Sequence, residues 1–326
     1  MRWRGTVLFC VLSVLMTGSQ AYAWDSPGHQ QIADIAWSKL NQNAKKQIAL
    51  ILGAGDAQFR PTGVGEDKAR SAFRKAATFP DFIKEHRGTS YEQEVQSFND
   101  KFHPVNDPLI SPTQQTLCKS WHFLDTPIRF TGTPPARAKS NALAALTLAR
   151  MQLSQLQQTP NPDRRMQAWW LCWIEHVVGD LHQPLHCASS FQTGHGDEGG
   201  NLFKLGLNDL VHPDRKMALH SFWDAGIDHA KKSEQALHLP ITVDQVTARW
   251  NGDGLLPFNS PEATNLDVMS WITKGSELAD QKVYSGIAVG GIPDSPYKSA
   301  QESLCKRQAV LAGYRLANLL NGMLGN

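Results

Sequence analysis

Apolar residues recur at helical spacing along most of the chain. In 30–52 they fall at Ile32, Ile35, Ala36, Leu40, Ile48 and Ile51, close to the period of an amphipathic helix, and Pro27-Gly28 stands where a helix begins. The same pattern predicts helices over 66–86, where Pro80 interrupts it, over the alanine- and leucine-rich 136–156, and over 163–181 with Asp163 as N-cap. Further helices are expected over 214–238, 267–282 and 299–323. Strand signals are poor: Asn251-Gly252 and Asn321-Gly322 have the composition of hairpin turns but no alternating runs beside them. The segments 99–120, 188–213 and 284–297 are rich in Gly, Pro, Asn or Asp and read as long loops, a length usually tied to function. No repeat, low-complexity tract or compositional linker divides the chain. The expectation is an all-α fold in a single, mainly helical domain.

The first residues depart from this pattern. Arg2 and Arg4 precede a mostly apolar run over 6–16, and Ala21-Tyr22-Ala23 has the small-x-small form of a cleavage site. This predicts a signal peptide over 1–23 and a domain over 24–326; the run is too short for a membrane span, which takes about 20 apolar residues. The alternative is an uncleaved N-terminal anchor. Cleavage implies an exported protein, periplasmic or extracellular, with no membrane span.

Cleavage also changes the composition. The chain carries 32 Lys+Arg against 30 Asp+Glu, and Arg2 and Arg4 are the whole surplus. The remaining chain is formally neutral, which excludes binding of nucleic acid by bulk charge. A hydrophobic fraction of 41% excludes a disordered chain. Cys10 leaves with the leader, and Cys118, Cys172, Cys187 and Cys305 remain. Four cysteines in an exported protein suggest two disulfides, with three connectivities open. The favoured pairing is Cys172–Cys187, beside the densest histidine cluster, with Cys118–Cys305.

The candidate chemistry lies in that cluster. His176 and Asp180 stand at i and i+4, and so do His220 and Asp224, so each pair shares one helix face. His186 follows the first pair, with Pro184 ending its helix. Imidazole nitrogen and carboxylate oxygen are ligands that zinc accepts. One such pair alone is more often a hydrogen bond on a helix surface. Two pairs with His186 point to a metal site. His182, two residues after Asp180, faces another side of the helix, and His86, His103, His195, His212, His229 and His238 read as bystanders. Trp169, Trp170 and Trp173 read as packing for the ligand helix.

These blocks resemble the trinuclear-zinc single-strand nucleases, the family to which mung bean nuclease belongs. The resemblance runs in order through Trp24-Asp25-Ser26-Pro27-Gly28-His29, Phe79-Pro80-Asp81-Phe82-Ile83-Lys84, Trp121-His122-Phe123-Leu124-Asp125, His176 to His186, Gly199-Gly200-Asn201, and Leu219-His220-Ser221-Phe222-Trp223-Asp224. It implies a fold of the phospholipase C/zinc nuclease type, with long loops around a cleft that holds three zinc ions. One zinc would take Asp81, His122, His176 and Asp180. A second would take His186, His220 and Asp224. The third would take His29, a second oxygen of Asp180, and Trp24 through its free amino group and carbonyl.

The implied activity is hydrolysis of phosphodiester bonds in RNA and single-stranded DNA by zinc-activated water. It gives 5′-phosphate products, and 3′-mononucleotides are substrates too. Asp81 and Asp180 would hold the catalytic metals. Lys84 would neutralise phosphate charge, Phe123 would stack on a base, Asp125 would accept hydrogen bonds from the base edge, and Asn201 would line the phosphate cleft. Read without the family, Lys84 is a solvated lysine, Phe123 a core aromatic and Asn201 a turn residue. The protein is expected to act as a monomer. The nearest alternatives are a zinc phospholipase C, whose His-x-x-x-acid pair typically ends in Glu where this chain has Asp224, and a secreted zinc-binding protein without catalysis.

An α-amino nitrogen ligates metal only as a free terminus. A protein beginning one residue ahead of Trp24 is therefore expected to lose one zinc and most of its activity; full activity of that variant would refute the role given to Trp24.

Overall fold

The computed structural model describes residues 24–53, 65–85, 118–210, 212–237 and 242–325. The leader, most of the predicted 99–120 loop, and His86, His103 and His238 lie outside the described residues.

The predicted helices form, with instructive differences in their bounds. The 30–52 pattern is two helices, α1 (Ser26–Lys39) and α2 (Gln42–Gly53). Leu40 between them is extended, and the Asn41 side chain accepts the Ala44 amide at 2.8 Å. That is an N-cap hidden inside an unbroken apolar rhythm. The 66–86 pattern splits into α3 (Gly65–Ala76) and α4 (Phe79–Glu85), with Pro80 in the first turn of α4, where its missing amide costs nothing. Next come α5 (Ala142–Gln158), capped by Asn141, and α6 (Arg164–Asp180), capped by Asp163 as expected. The 214–238 segment opens on a strand and divides into α7 (Leu219–Asp224) and α8 (Gly226–Leu237). Sequence periodicity missed α9 (Val243–Gly252), which starts with a capping box of Thr242 and Gln245, and the one-turn α10 (Pro261–Thr264). The chain continues through α11 (Val268–Leu278), a π turn over Ala279–Val283, and α12 (Ser295–Leu324). Asp294 caps α12 and Pro296 sits in its first turn, so the helix begins inside the predicted 284–297 loop.

Strands are short, as the sequence suggests, and they set the register of the loops. β1 (Thr126–Ile128) and β2 (Ala188–Ser190) pair in parallel, Thr126 opposite Ala188. β3 (Lys204–Asn208) and β4 (Lys216–Ala218) pair antiparallel and lead directly into α7. Among the described residues no helix is long and apolar enough to cross a membrane.

The core has two lobes. One holds Trp121, Trp169, Trp170 and Trp173 with α2, α3, α5 and most of α6; the other holds Trp24, Trp223, Trp250 and Tyr314 with α7 to α9. Helices α1 and α12 give residues to both: Ala33 and Trp37 face the first lobe while Ile32 and Ile35 face the second. α6 is buried without a break from Gln167 to Asp180. A helix surrounded on every side is expected to be apolar all round. This one also carries Glu175, His176 and Asp180.

The expected disulfides are not formed. Cys187 and Cys305 are both free, buried thiols, so neither Cys172–Cys187 nor Cys118–Cys305 exists. The Cys187 sulfur faces the Leu181 carbonyl at 3.4 Å and packs on Gly275, while Cys305 packs on Gly226 in the second lobe, away from the lobe that contains Cys118. Burial raises both thiols above their ordinary range. They act as small apolar side chains filling gaps between helices.

The α1–α12 contact is close because Gly313 lacks a side chain. A Cβ there would stand 2.5 Å from Ile35 Cγ2 and 3.0 Å from the Ile32 carbonyl oxygen. Gly313→Ala is expected to destabilise the fold by about 1–3 kcal/mol, the usual cost of overpacking; chemical denaturation measures it.

Candidate metal centre

Eight predicted ligand side chains meet between the two lobes, and all eight are buried. α1 supplies His29, the first turn of α4 supplies Asp81, and α6 supplies His176 and Asp180. His122 ends a short 3-10 turn over Lys119–His122, His186 ends another over Pro184–His186, and α7 supplies His220 and Asp224. They form three groups whose ligand atoms lie within 4.8 Å of one another: His29, His176 and Asp180; Asp81, His122 and His176; and His186, His220 and Asp224.

Asp180 joins the first two groups. Its Oδ1 faces His29 Nε2 at 3.2 Å, while its Oδ2 faces His122 Nδ1 at 3.1 Å and His176 Nε2 at 3.2 Å. Asp81 Oδ1 stands 3.6 Å from His176 Nε2 and 3.8 Å from His122 Nδ1. In the third group His220 Nε2 lies 3.5 Å from Asp224 Oδ2 and 3.1 Å from His186 Nε2. The rings of His29 and His176 stack with centroids 4.0 Å apart. That approach is possible because position 179 is glycine; a Cβ there would come within 2.8 Å of His29 Nδ1.

The outer nitrogens decide what these groups can hold. His176 Nδ1 is 2.7 Å from the Ala77 carbonyl, His186 Nδ1 is 2.7 Å from the His122 carbonyl, and His220 Nδ1 is 2.6 Å from the Gly199 carbonyl. A carbonyl only accepts, so each Nδ1 carries a proton and the neutral form of each ring turns its Nε2 lone pair inward. Two such lone pairs, on His186 and His220, then face each other at 3.1 Å. His176 Nε2 faces only carboxylate oxygens and the His122 ring. Acceptors converging without protons between them repel one another unless a cation stands among them, and the donor set suits zinc. Carbonyls that orient ligating histidines in this way are the usual outer support of a metal site.

Burial pushes the Asp180 carboxyl up, but the imidazoles of His176, His122 and His29 around it outweigh that and hold the group well below its ordinary range. Burial lowers His29. It opposes protonation of His176 as well, yet Asp180 and Asp81 raise that residue overall.

Trp24 is fully buried against the same helix, its indole nitrogen donating to the Gly179 carbonyl at 2.9 Å. The next amide, of Asp25, donates to the Asp224 carbonyl at 3.1 Å, and the Asp25 side chain caps α1 by accepting the Gly28 amide, four residues ahead of His29. The main chain of Trp24 therefore sits between the helices that carry the first and third groups.

The predicted substrate residues lie on segments tied to the ligands. Phe123 follows His122 directly, is half-buried, and is extended, with its carbonyl accepting the Ala142 amide at 3.0 Å. The Leu124 amide donates to the His186 carbonyl at 2.8 Å, which holds the Phe123–Asp125 segment beside the second half of the centre. Burial first, then the charges of Asp197 and Glu198, push the Asp125 carboxyl up to about 7. Asn201 is half-buried in the turn whose Gly199 carbonyl supports His220, and its side-chain amide donates to the Glu198 carbonyl at 2.8 Å. Gly199 has a left-handed φ of +61, and a Cβ there would meet the Leu185 carbonyl oxygen at 2.6 Å. Lys84 lies in α4, with its side chain outside the described residues.

His182 points away from the centre, as expected: its Nδ1 bonds the Val178 carbonyl and its Nε2 faces Arg315. Sequence reasoning missed Gln183. Its side-chain nitrogen donates to Asp224 Oδ1 at 2.7 Å while its oxygen accepts the Leu185 amide at 2.6 Å, so it ties Asp224 to the turn that presents His186. Its place between ligands in the 176–186 block was the available signal. Glu175 was missed too. Burial holds its carboxyl well above the ordinary range, and neither oxygen has a hydrogen-bond partner among the described residues.

Buried His/Asp groups shared along one central helix define a helical metal-binding protein. The chain's kinship agrees with that class. The model of the S1/P1 Nuclease family matches residues 24–325, and the chain belongs to that family. Endonuclease 4 of Arabidopsis thaliana is 24% identical over 328 residues, covering 98% of this chain and 94% of that protein. Nuclease S1 of Aspergillus oryzae is 22% identical over 328 residues, covering 95% of this chain and 94% of that protein. The family is one of nucleases, hydrolases that act on phosphodiester bonds.

Gln183→Ala removes the donor that orients Asp224. It is expected to weaken metal binding at the His186–His220–Asp224 group by about 10–100-fold, with the other two groups retained; competitive chelation followed by metal analysis checks this.

Proposed function

We propose that this protein is a zinc-dependent endonuclease that cleaves RNA and single-stranded DNA to 5′-phosphate products and also removes phosphate from 3′-mononucleotides. The observation that carries this reading is the set of inward lone pairs on His176, His186 and His220 beside Asp81, Asp180 and Asp224. Three zinc ions fit the three groups, with Trp24 completing the group of His29 when its amino nitrogen is free. Metals bound there supply positive charge at phosphorus and water of lowered pKa, the requirements for in-line displacement.

The side chains divide the remaining work. Asp180, reaching toward His29 with one oxygen and toward His122 and His176 with the other, sets the spacing of the two groups it joins. Lys84, on α4 three residues after Asp81, neutralises phosphate charge. Phe123 stacks on a base, a contact worth about 1–3 kcal/mol and tolerant of base identity. Asp125 reads the base edge and Asn201 holds phosphate. A base must leave the helical stack to reach Phe123, which favours single strands over duplex. The formal neutrality of 24–326 fits phosphate binding by a few local groups rather than by a broad basic face. The same reading makes 1–23 a leader, 24–326 one domain, and the product a monomer exported to the periplasm or the medium. Asp224 in place of Glu favours this activity over a zinc phospholipase C.

Purified 24–326 is expected to contain three zinc per chain and to cut single-stranded DNA and RNA at least tenfold faster than duplex. It should release phosphate from 3′-mononucleotides, lose these activities to chelator, and leave phosphatidylcholine intact. Hydrolysis of the lipid instead, or one zinc or none in fully folded protein, would overturn the reading.

A further inference from the structure

A cavity of about 540 Å³ lies on the far side of the turn that links Asp180 to His186. Its lining includes Glu262, Asn265, Lys274, Arg307, Gln308 and Arg315. None of these is a ligand of the metal centre.

Arg315 is the unusual member. It is 5% exposed, yet makes no ion pair with a carboxylate among the described residues. Its Nε donates to the Glu262 main-chain carbonyl at 3.1 Å, and its Nη1 donates to His182 Nε2 at 2.8 Å. His182 Nδ1 is engaged by the Val178 carbonyl, so the ring is neutral and adds no negative charge. The Trp271 ring lies 5.0 Å from the guanidinium carbon and covers one face. The carboxylate of Glu262 is already held by Arg307 in a two-pronged pair at 3.0 and 2.7 Å. Buried charges are ordinarily paired. Both Glu262 carboxylate oxygens are taken by Arg307, so Glu262 acts on Arg315 only through space, and three of the five Arg315 N–H bonds have no acceptor among the described residues. Lys274 contributes a second cation at the rim, in a solvent-exposed pair with Glu277 that is weak competition for a ligand. Burial lowers Arg315 to about 10, the Glu262 carboxylate opposing that shift and the Arg307 charge adding to it.

We propose that this cavity binds an oxyanion of the phosphate class through the free edge of Arg315, with Lys274 at its mouth. A planar guanidinium fork matches two oxygens of such a group. The site touches the metal centre's scaffold: Arg315 bonds the His182 ring and Gln308 donates to the His182 carbonyl at 3.0 Å, in the turn between Asp180 and His186. The anion can be inorganic phosphate or the phosphate of a mononucleotide.

The test is calorimetric titration of inorganic phosphate into the metal-loaded 24–326 protein, its Lys274→Glu variant and its Arg315→Met variant. The wild type is expected to show two classes of site, one at the metal centre and one here. Lys274→Glu, at an exposed helix position, should weaken one class at least tenfold and leave the other unchanged; Arg315→Met, checked for folding by near-ultraviolet circular dichroism, should abolish the same class. A single class in the wild type, or a Lys274→Glu isotherm matching it, overturns the proposal. Repeating the titration with adenosine 5′-monophosphate separates the sources: tighter binding to the affected class assigns a nucleotide phosphate, equal affinity assigns free phosphate, and either supports the site.

Discussion

The structure depends on negative and lone-pair groups held inside a helix that has no face to solvent. α6 is buried from Gln167 to Asp180, and in its last two turns it places His176 and Asp180 where no water can satisfy them. Removing such groups from water is costly unless a counter-charge replaces it. The other ligand segments converge on this helix and bring Asp81, His122 and His29 to it. The protons that might have relieved the crowding are turned outward to main-chain carbonyls. A cation held by these groups would balance their charge as well as supply the chemistry.

The scaffold is organised around that requirement. The two core lobes meet at the centre, and α1 and α12 belong to both, so the ligands from one lobe cannot move independently of those from the other. The short strands do similar work at small scale: β1–β2 pairing sets the segment after His122 beside the segment after His186, and β3–β4 pairing delivers His220 at the start of α7. Trp24 is clamped by its own indole to Gly179 and through the Asp25 amide to Asp224. Cys187 and Cys305 serve this scaffold as small core side chains between helices.

Several parts were legible in the sequence for local reasons. The i,i+4 spacing of His176 with Asp180 and of His220 with Asp224 is a property of the helix itself and survives into the structure. The N-cap Asp163 was equally local, as was the poverty of strands. Asn41, by contrast, broke an apolar rhythm that looked continuous, and Gln183 could be recognised as the brace of Asp224 only once α7 had been brought against the His186 turn. The disulfide expectation failed because proximity to a histidine cluster in sequence says nothing about where a sulfur points.

The amino-acid sequence by itself determined the helical class and the pairing of His176 with Asp180 and of His220 with Asp224, donors of a kind that zinc accepts, since periodicity, capping and ligand chemistry are set by residue type and short spacing. Only the tertiary structure decided the contacts of His29 and His122 with Asp180, which nitrogen of His176, His186 and His220 turns inward, and that Arg315 stands buried against the His182 ring. These depend on contacts between segments more than a hundred residues apart, such as His29 with Asp180 and His182 with Arg315, and such contacts exist only once both core lobes have closed.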